Sequence, residues 1–257
     1  MTSVAVRDFI PPIVPRIVRK LRRLVGQVSD SSPRFHPYDK ISPTLAPKWI
    51  IDIGANVGDT AVAALKSFPH AKVICFEPVP TTFGVLQRTL AEYAERVHLY
   101  PQALSSRSGT ALINITSFHG ANSLEPQSQH HRQFNPHVRE ERREEISLTT
   151  LDELADSLPT RYADVVKIDV EGHELAVLQG GSQFFRHRVD TLIVEIAFQR
   201  DSAWEEQSFL KIHTLLDEYG FRLINIYDIH RSETDDMMVT QMDCVFRHRS
   251  RLPALPA

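Results

Sequence analysis

The chain has 257 residues, 42% hydrophobic and 24% charged, with a formal net charge of -3, a composition that suits one α/β domain with extensions and needs no disulfide or metal staple. Cys75 and Cys244 both sit in apolar runs without zinc-ligand spacing, no apolar stretch approaches the roughly 18 residues of a membrane span, and the N-terminus lacks a leader-like apolar run, so reduced thiols and a cytoplasmic protein are expected. Residues 1–47 hold eight Lys/Arg against three Asp/Glu and the rest 21 against 29, and so acidic a body argues against nucleic acid as the main substrate.

In chain order, the Pro-rich head (residues 1–47) carries Val14, Ile17, Val18, Leu21, Leu24, Val25 and Val28 on one helical face, with Arg16, Arg19, Lys20, Arg22 and Arg23 around it. A helix within 13–28 is expected. It packs its stripe on its own domain or a partner subunit, or it makes a peripheral contact with an anionic membrane. From residue 49 the pattern changes to alternating strands and helices, and the main domain is expected at 48–250. Strands are expected at 49–53, 72–76, 97–100, 164–168, 191–196, 221–229 and 242–246, and helices at 58–68, 80–94, 172–186 and 204–219. Their alternation implies βαβ units and a doubly wound parallel sheet. Residues 107–115 suggest a turn and strand, 146–149 a short strand and 151–158 a short helix. Residues 117–145 are polar and lack apolar periodicity, with His119, His130, His131, His137, Arg132, Arg139, Arg142 and Arg143. That length exceeds a plain connector, so a substrate-side lid is expected, its basic residues pointing to an anionic or sugar-linked acceptor.

Three stretches carry chemistry. Asp52-Ile-Gly-Ala-Asn-Val-Gly58 lies between a strand and a helix, where glycine permits a tight turn and a ligand's close approach to backbone. Asn56 stands where a dinucleotide fingerprint requires glycine, and Asp52 and Asp59 would repel a diphosphate. A zwitterionic amino-acid tail would not be repelled, so S-adenosylmethionine is favoured over a nicotinamide cofactor. Glu77, ending the second strand before Pro78, is placed to accept hydrogen bonds from a ribose. Lys167-Ile-Asp-Val-Glu-Gly-His-Glu174 puts Asp169, Glu171 and His173 at a strand end, where doubly wound folds bind ligands.

These stretches, with Phe76-Glu-Pro-Val-Pro80, Leu148-Thr-Thr-Leu-Asp152 and Val194-Glu195, resemble the FkbM family of methyltransferases over residues 49–199. The resemblance implies a class I methyltransferase fold, a Rossmann-like sheet of seven strands with the last antiparallel and the hairpin 221–229/242–246 closing it. It implies methylation of a hydroxyl on a sugar, glycolipid or natural product. Carried over, Asp52, Gly54, Ala55, Asn56 and Gly58 hold the methionine end of S-adenosylmethionine, Glu77 and Pro78 the ribose, and Ala103 and Leu104 lie near the adenine. Ser123, with Asn122, and Asp169 border cofactor and acceptor. One departure is Thr-Leu-Ala-Glu-Tyr at the end of the second helix, where the family often has asparagine.

An alcohol nucleophile needs its proton removed, and Asp169 or Glu171 is the expected base, His173 a third candidate. Asp169, Glu171 and Glu195 could together bind Mg²⁺, but strand-end carboxylates more often hydrogen-bond, so no metal is expected. The competing readings are a non-catalytic cofactor-binding scaffold, a nicotinamide oxidoreductase, and a methyltransferase acting on nitrogen or carboxylate. Acceptor identity and oligomeric state stay open.

Overall fold

The computed structural model describes Tyr38 and residues 45–125, 138–198, 209–231, 237 and 239–252. The expected helix within 13–28, residues 204–208 of the expected fourth helix, and His130, His131, Arg132 and His137 lie outside them.

Ten strands are described: β1 (Trp49–Ile53), β2 (Lys72–Phe76), β3 (Val97–Tyr100), β4 (Ala103–Leu104), β5 (Gly109–Thr116), β6 (Glu140–Thr149), β7 (Ala163–Ile168), β8 (Val189–Ala197), β9 (Phe221–Arg231) and β10 (Val239–His248). Seven form one sheet in the order β3-β2-β1-β7-β8-β10-β9. The pairs from β3 to β8 are parallel, and β10 is antiparallel to both β8 and β9. This is the α/β Rossmann-like class I architecture expected from the sequence. Strand order reverses between β1 and β7, which opens a crevice at their carboxyl ends.

The apolar runs are central strands buried on both faces. Ile51, Ile53, Ile74, Phe76, Val166 and Ile168 share one apolar cluster with Leu151, Val177, Leu178, Phe184, Phe185, Ile212 and Leu216, which come from helices α3 (Leu151–Leu154), α4 (Glu174–Gly180), α5 (Ser182–Arg188) and α6 (Phe209–Glu218). Ile50, Val73, Cys75, Val165, Ile193 and Val245 face the other way, against α1 (Asp59–Ser67) and α2 (Pro80–Thr89). Tyr38 is 2% exposed and joins this second cluster, so residues upstream of β1 contribute to its packing. Both cysteines are free and buried.

A three-stranded sheet, β4-β6-β5, flanks the main one. It corrects the expectation of an irregular segment up to residue 145. Residues 140–145 form the outer half of β6, antiparallel to β5. Their run Glu-Glu-Arg-Arg-Glu-Glu is mostly exposed and polar on both faces, so no apolar alternation marks it as a strand. The expected helix 172–186 is two helices broken at Gly181, where a Cβ would meet the Phe185 ring at 2.5 Å. The expected helix 80–94 ends at Thr89 and continues as a 3₁₀ turn.

Candidate active site

The loop after β1 is built around what its side chains leave out. Gly54 has φ +84, and a Cβ there would lie 1.9 Å from the Asp169 carbonyl oxygen. The loops after β1 and β7 therefore touch because residue 54 has no side chain. The Gly54 and Ala55 N–H groups both donate to the Phe76 carbonyl, at 3.0 Å each. Asn56 turns back with φ 50. Its N–H donates to Glu77 Oε2 at 3.1 Å, and the Val79 N–H donates to Glu77 Oε1 at 3.0 Å. Gly58, φ +96, starts α1 packed under Leu86. Burial pushes the Glu77 carboxyl up to about 7 despite those two donors.

Asp52 lies beneath this loop, fully buried, and neither carboxylate oxygen accepts a hydrogen bond from the described residues. Burial raises its pKa to about 6, with Lys167 opposing and Asp169 reinforcing the shift. Asp52 pairs in register with Lys167 on β7, and the two side chains share a face of the sheet. Lys167 Nζ donates to Asp169 Oδ2 at 2.5 Å. Burial pulls the Lys167 pKa down, but Asp169, Asp52 and Asp243 outweigh it and hold the ammonium charged.

Asp169, Glu171 and Glu195 bring carboxylate oxygens within 4.8 Å of one another. Burial, then the Asp169 and Glu171 charges, push Glu195 well upward, and Gln241 on β10 donates to its Oε1. Asp243, also on β10, is raised to about 6 by burial against the pull of Lys167. Glu171 is non-glycine at φ 53, an uncommon left-handed conformation. Glu174 braces that turn, its Oε1 accepting from the Val170 and Gly172 N–H groups at 3.2 and 2.9 Å. Such a group of carboxylates about a single ammonium can orient a hydroxyl and take its proton.

The segment after β5 crosses both loops. His119 Nδ1 lies 2.7 Å from Asn56 Oδ1, and Ser123 Oγ donates to the Glu171 carbonyl at 2.7 Å. Buried Asn114 holds the segment's far end, its Nδ2 donating to the Ser123 and Glu125 carbonyls at 3.1 and 3.0 Å. His173 points elsewhere, with Nε2 2.9 Å from Ser105 Oγ and Nδ1 3.7 Å from Glu125 Oε1.

The fold thus gathers Asp52, Gly54, Ala55, Asn56, Gly58, Glu77, Asp169 and Glu171 around one crevice. Pro78 leads into α2, and Ala103 packs in a small cluster with Val79. Leu104 is buried in the main core. The Ser123 hydroxyl is already engaged. Arg142 and Arg143 pair with Glu144 and Glu140 on their own strand. Sequence reasoning missed Ser105, Asn114, Glu125, Gln241 and Asp243. Four of these come from the flanking sheet or the closing hairpin, and Glu125 from the crossing segment; only their place in the fold identifies them. Glu174 stands inside the strand-end stretch, where a carboxylate just past a glycine turn is a readable brace.

The chain matches the Methyltransferase FkbM domain over residues 52–223. It is 29% identical over 210 residues to methyltransferase sdnD of Sordaria araneosa, covering 72% of this chain and 78% of that one. It is 34% identical over 145 residues to the hexuronic acid methyltransferase AglP of Haloferax volcanii, covering 56% and 54%. Among solved structures, one from Klebsiella pneumoniae described as an O-methyltransferase superposes with a TM-score of 0.50 at 11% identity, covering 93% and 90% of the two chains, a likeness of fold.

Proposed function

Because the chain belongs to the FkbM family of methyltransferases, we propose that this S-adenosylmethionine-dependent enzyme methylates a hydroxyl oxygen of a sugar, glycolipid or other small molecule. One observation carries the site assignment: the glycine-bearing loop and the carboxylate-bearing loop abut at Gly54 and Asp169, where a Cβ would stand 1.9 Å from the carbonyl oxygen. A ligand held on the first loop is thereby adjacent to the acids of the second. The 2-O-methyltransferase NoeI of Sinorhizobium fredii, 26% identical over 141 residues, supports oxygen as the acceptor atom, and the hexuronic acid methyltransferase AglP supports a sugar as its carrier.

The residues fit the cofactor. Gly54 and Gly58 let the loop fold tightly against the Asp169 carbonyl and Leu86, and Asp52 beneath it offers a buried carboxylate without a described hydrogen-bond partner toward a cationic ligand. Glu77, its oxygens already oriented by two N–H groups, has lone pairs left for ribose hydroxyls. S-adenosylmethionine, when bound, supplies the activated methyl group and the leaving sulfur.

The chain's own residues position the acceptor and move one proton. Holding a nucleophile in line contributes roughly 7–11 kcal/mol. Asp169 or Glu171 accepts the hydroxyl proton, and Lys167 fixes Asp169 as it does so. His173 serves less well as base, since both ring nitrogens face Ser105 and Glu125. We expect no divalent ion, since Asp169 already pairs with Lys167. Reduced Cys75 and Cys244 fit a cytoplasmic enzyme, and among the described residues no helix is long and apolar enough to cross a membrane.

The test is calorimetric titration with S-adenosylhomocysteine, followed by transfer of labelled methyl to a panel of glycosides and polyketide alcohols. Micromolar binding and labelled ether products are expected. Asp169→Asn or Glu171→Gln should cut turnover about 10²–10⁴-fold with cofactor affinity retained. Absence of binding to the wild type overturns the proposal.

A further inference from the structure

Glu125 and Ser105 belong to no part of the chemistry described above, yet both address the ring of His173. Ser105 Oγ is 2.9 Å from Nε2, and Glu125 Oε1 is 3.7 Å from Nδ1, a buried nitrogen with no hydrogen-bond partner among the described residues. Ser105 is itself 4% exposed and clamped: its N–H donates to the Thr149 carbonyl at 2.9 Å, and its own carbonyl would lie 1.8 Å from a Cβ at Gly180. His173 precedes α4 and Gly180 ends it, so that helix meets Ser105 at both ends.

We propose that Glu125, His173 and Ser105 form a latch in which Glu125 is the positioning residue. Its carboxylate faces Nδ1–H, leaving Nε2 to accept from the Ser105 hydroxyl. A neutral imidazole has one donor and one acceptor nitrogen, and a carboxylate beside one of them fixes which is which. The opposite tautomer would set the unprotonated Nδ1 against an anion with no donor between them.

The latch acts on Glu171. Glu125 N–H donates to Ser123 Oγ at 3.0 Å, and the same hydroxyl donates to the Glu171 carbonyl at 2.7 Å. Fastening Glu125 to His173 thus holds Ser123 against the residue at φ 53, and so fixes where the Glu171 carboxylate stands relative to Asp169 and Glu195. Asn114 anchors the same segment from β5. The purpose of the latch rests on the methyl-transfer reading. Its test needs neither acceptor nor turnover, so the two can fail separately.

The experiment is long-range ¹H–¹⁵N correlation of the histidine rings in the full chain loaded with S-adenosylhomocysteine, the His173 signal being the one lost in His173→Gln. Amide hydrogen exchange across 114–125 is measured in parallel. The wild type should show Nδ1 protonated. Glu125→Leu should move His173 toward the Nε2–H tautomer and speed exchange of 114–125 about tenfold. Glu125→Gln, whose amide oxygen still accepts, should restore the wild-type tautomer, and S-adenosylhomocysteine affinity should stay within about twofold throughout. Should Glu125→Leu fail to fold, Ser105→Ala is the second variant, and faster exchange confined to 114–125 and the His173 turn supports the latch. An Nε2–H tautomer in the wild type, an unchanged tautomer in Glu125→Leu, or faster exchange spread over the whole domain in either variant overturns it.

Discussion

Lys167 Nζ and Asp169 Oδ2 lie 2.5 Å apart at the end of β7, where residues two apart leave a strand on the same face. The ammonium is buried and also faces Asp52 and Asp243. Lys167→Met therefore leaves a group of acids with no counter-charge. The expected cost is about 3–5 kcal/mol of stability, as for breaking other buried pairs. Urea unfolding measures it, and adding Asp169→Asn to the same chain should recover part of the loss. An additive double mutant would mean the two side chains do not act as a pair.

Buried acids also set a pH dependence. Asp52 and Asp243 are raised to about 6 and Glu77 to about 7, each chiefly by burial, while in the unfolded chain they titrate near 4. The native state thus holds more protons between those values, and this contribution to stability, complete below about pH 4, is lost as pH rises through 6 to 7. The wild type should lose more stability than Asp52→Asn between pH 5 and pH 8 in denaturant melts. Cofactor affinity should move the other way, rising with pH as these carboxyls ionise toward a cationic ligand. Equal pH slopes for wild type and variant would remove Asp52 from this account.

Gly54→Ala adds a Cβ 1.9 Å from the Asp169 carbonyl at a φ of +84, so clash and strain act together. Gly109→Ala is the control: φ there is +146, but nothing lies within 4 Å of the added carbon. S-adenosylhomocysteine affinity should drop by about 100-fold or more in the first and stay near wild type in the second, read by calorimetry. Similar affinities in both would separate the loop contact from cofactor binding.

Asp169, Glu171 and Glu195 have the spacing of a hard-cation site. With Lys167 on Asp169, turnover should stay within about twofold in excess EDTA. A loss that Mg²⁺ restores would assign that trio to a metal.

The basic residues within 13–28 offer a last measurement. If they contact anionic lipid, the full chain should sediment with phosphatidylserine vesicles at low salt and release at high salt. Failure to sediment at low salt discards the membrane contact and leaves packing on protein.

What could be read from the sequence was what is contiguous in it. Asp52 to Gly58, Glu77 and Lys167 to Glu174 each combine a strand end, a turn and the chemistry within a few residues, so each could be read as a strand-end candidate from the sequence. Asp243 and Gln241 were illegible, because they reach the site only through the antiparallel register of β10 on β8, where Asp243 stands opposite Glu195. The outer half of β6 was hidden by charge on both faces. The helix break at Gly181 had a visible cause in Gly180-Gly181, two poor helix formers in succession, but the Ser105 carbonyl against Gly180 comes from the residue after β4, far upstream in the chain.

The placement of β10 has a consequence for how this protein is made. The strand slots between β8 and β9, both synthesised earlier, and brings Asp243 to Lys167 and Gln241 to Glu195. On the ribosome, β8 and β9 must wait apart, or part again, until residues 239–248 emerge. Until β10 lies between them, Lys167 lacks the charge of Asp243 and Glu195 lacks its bond from Gln241, so the surroundings of both side chains are completed only by a strand made after them.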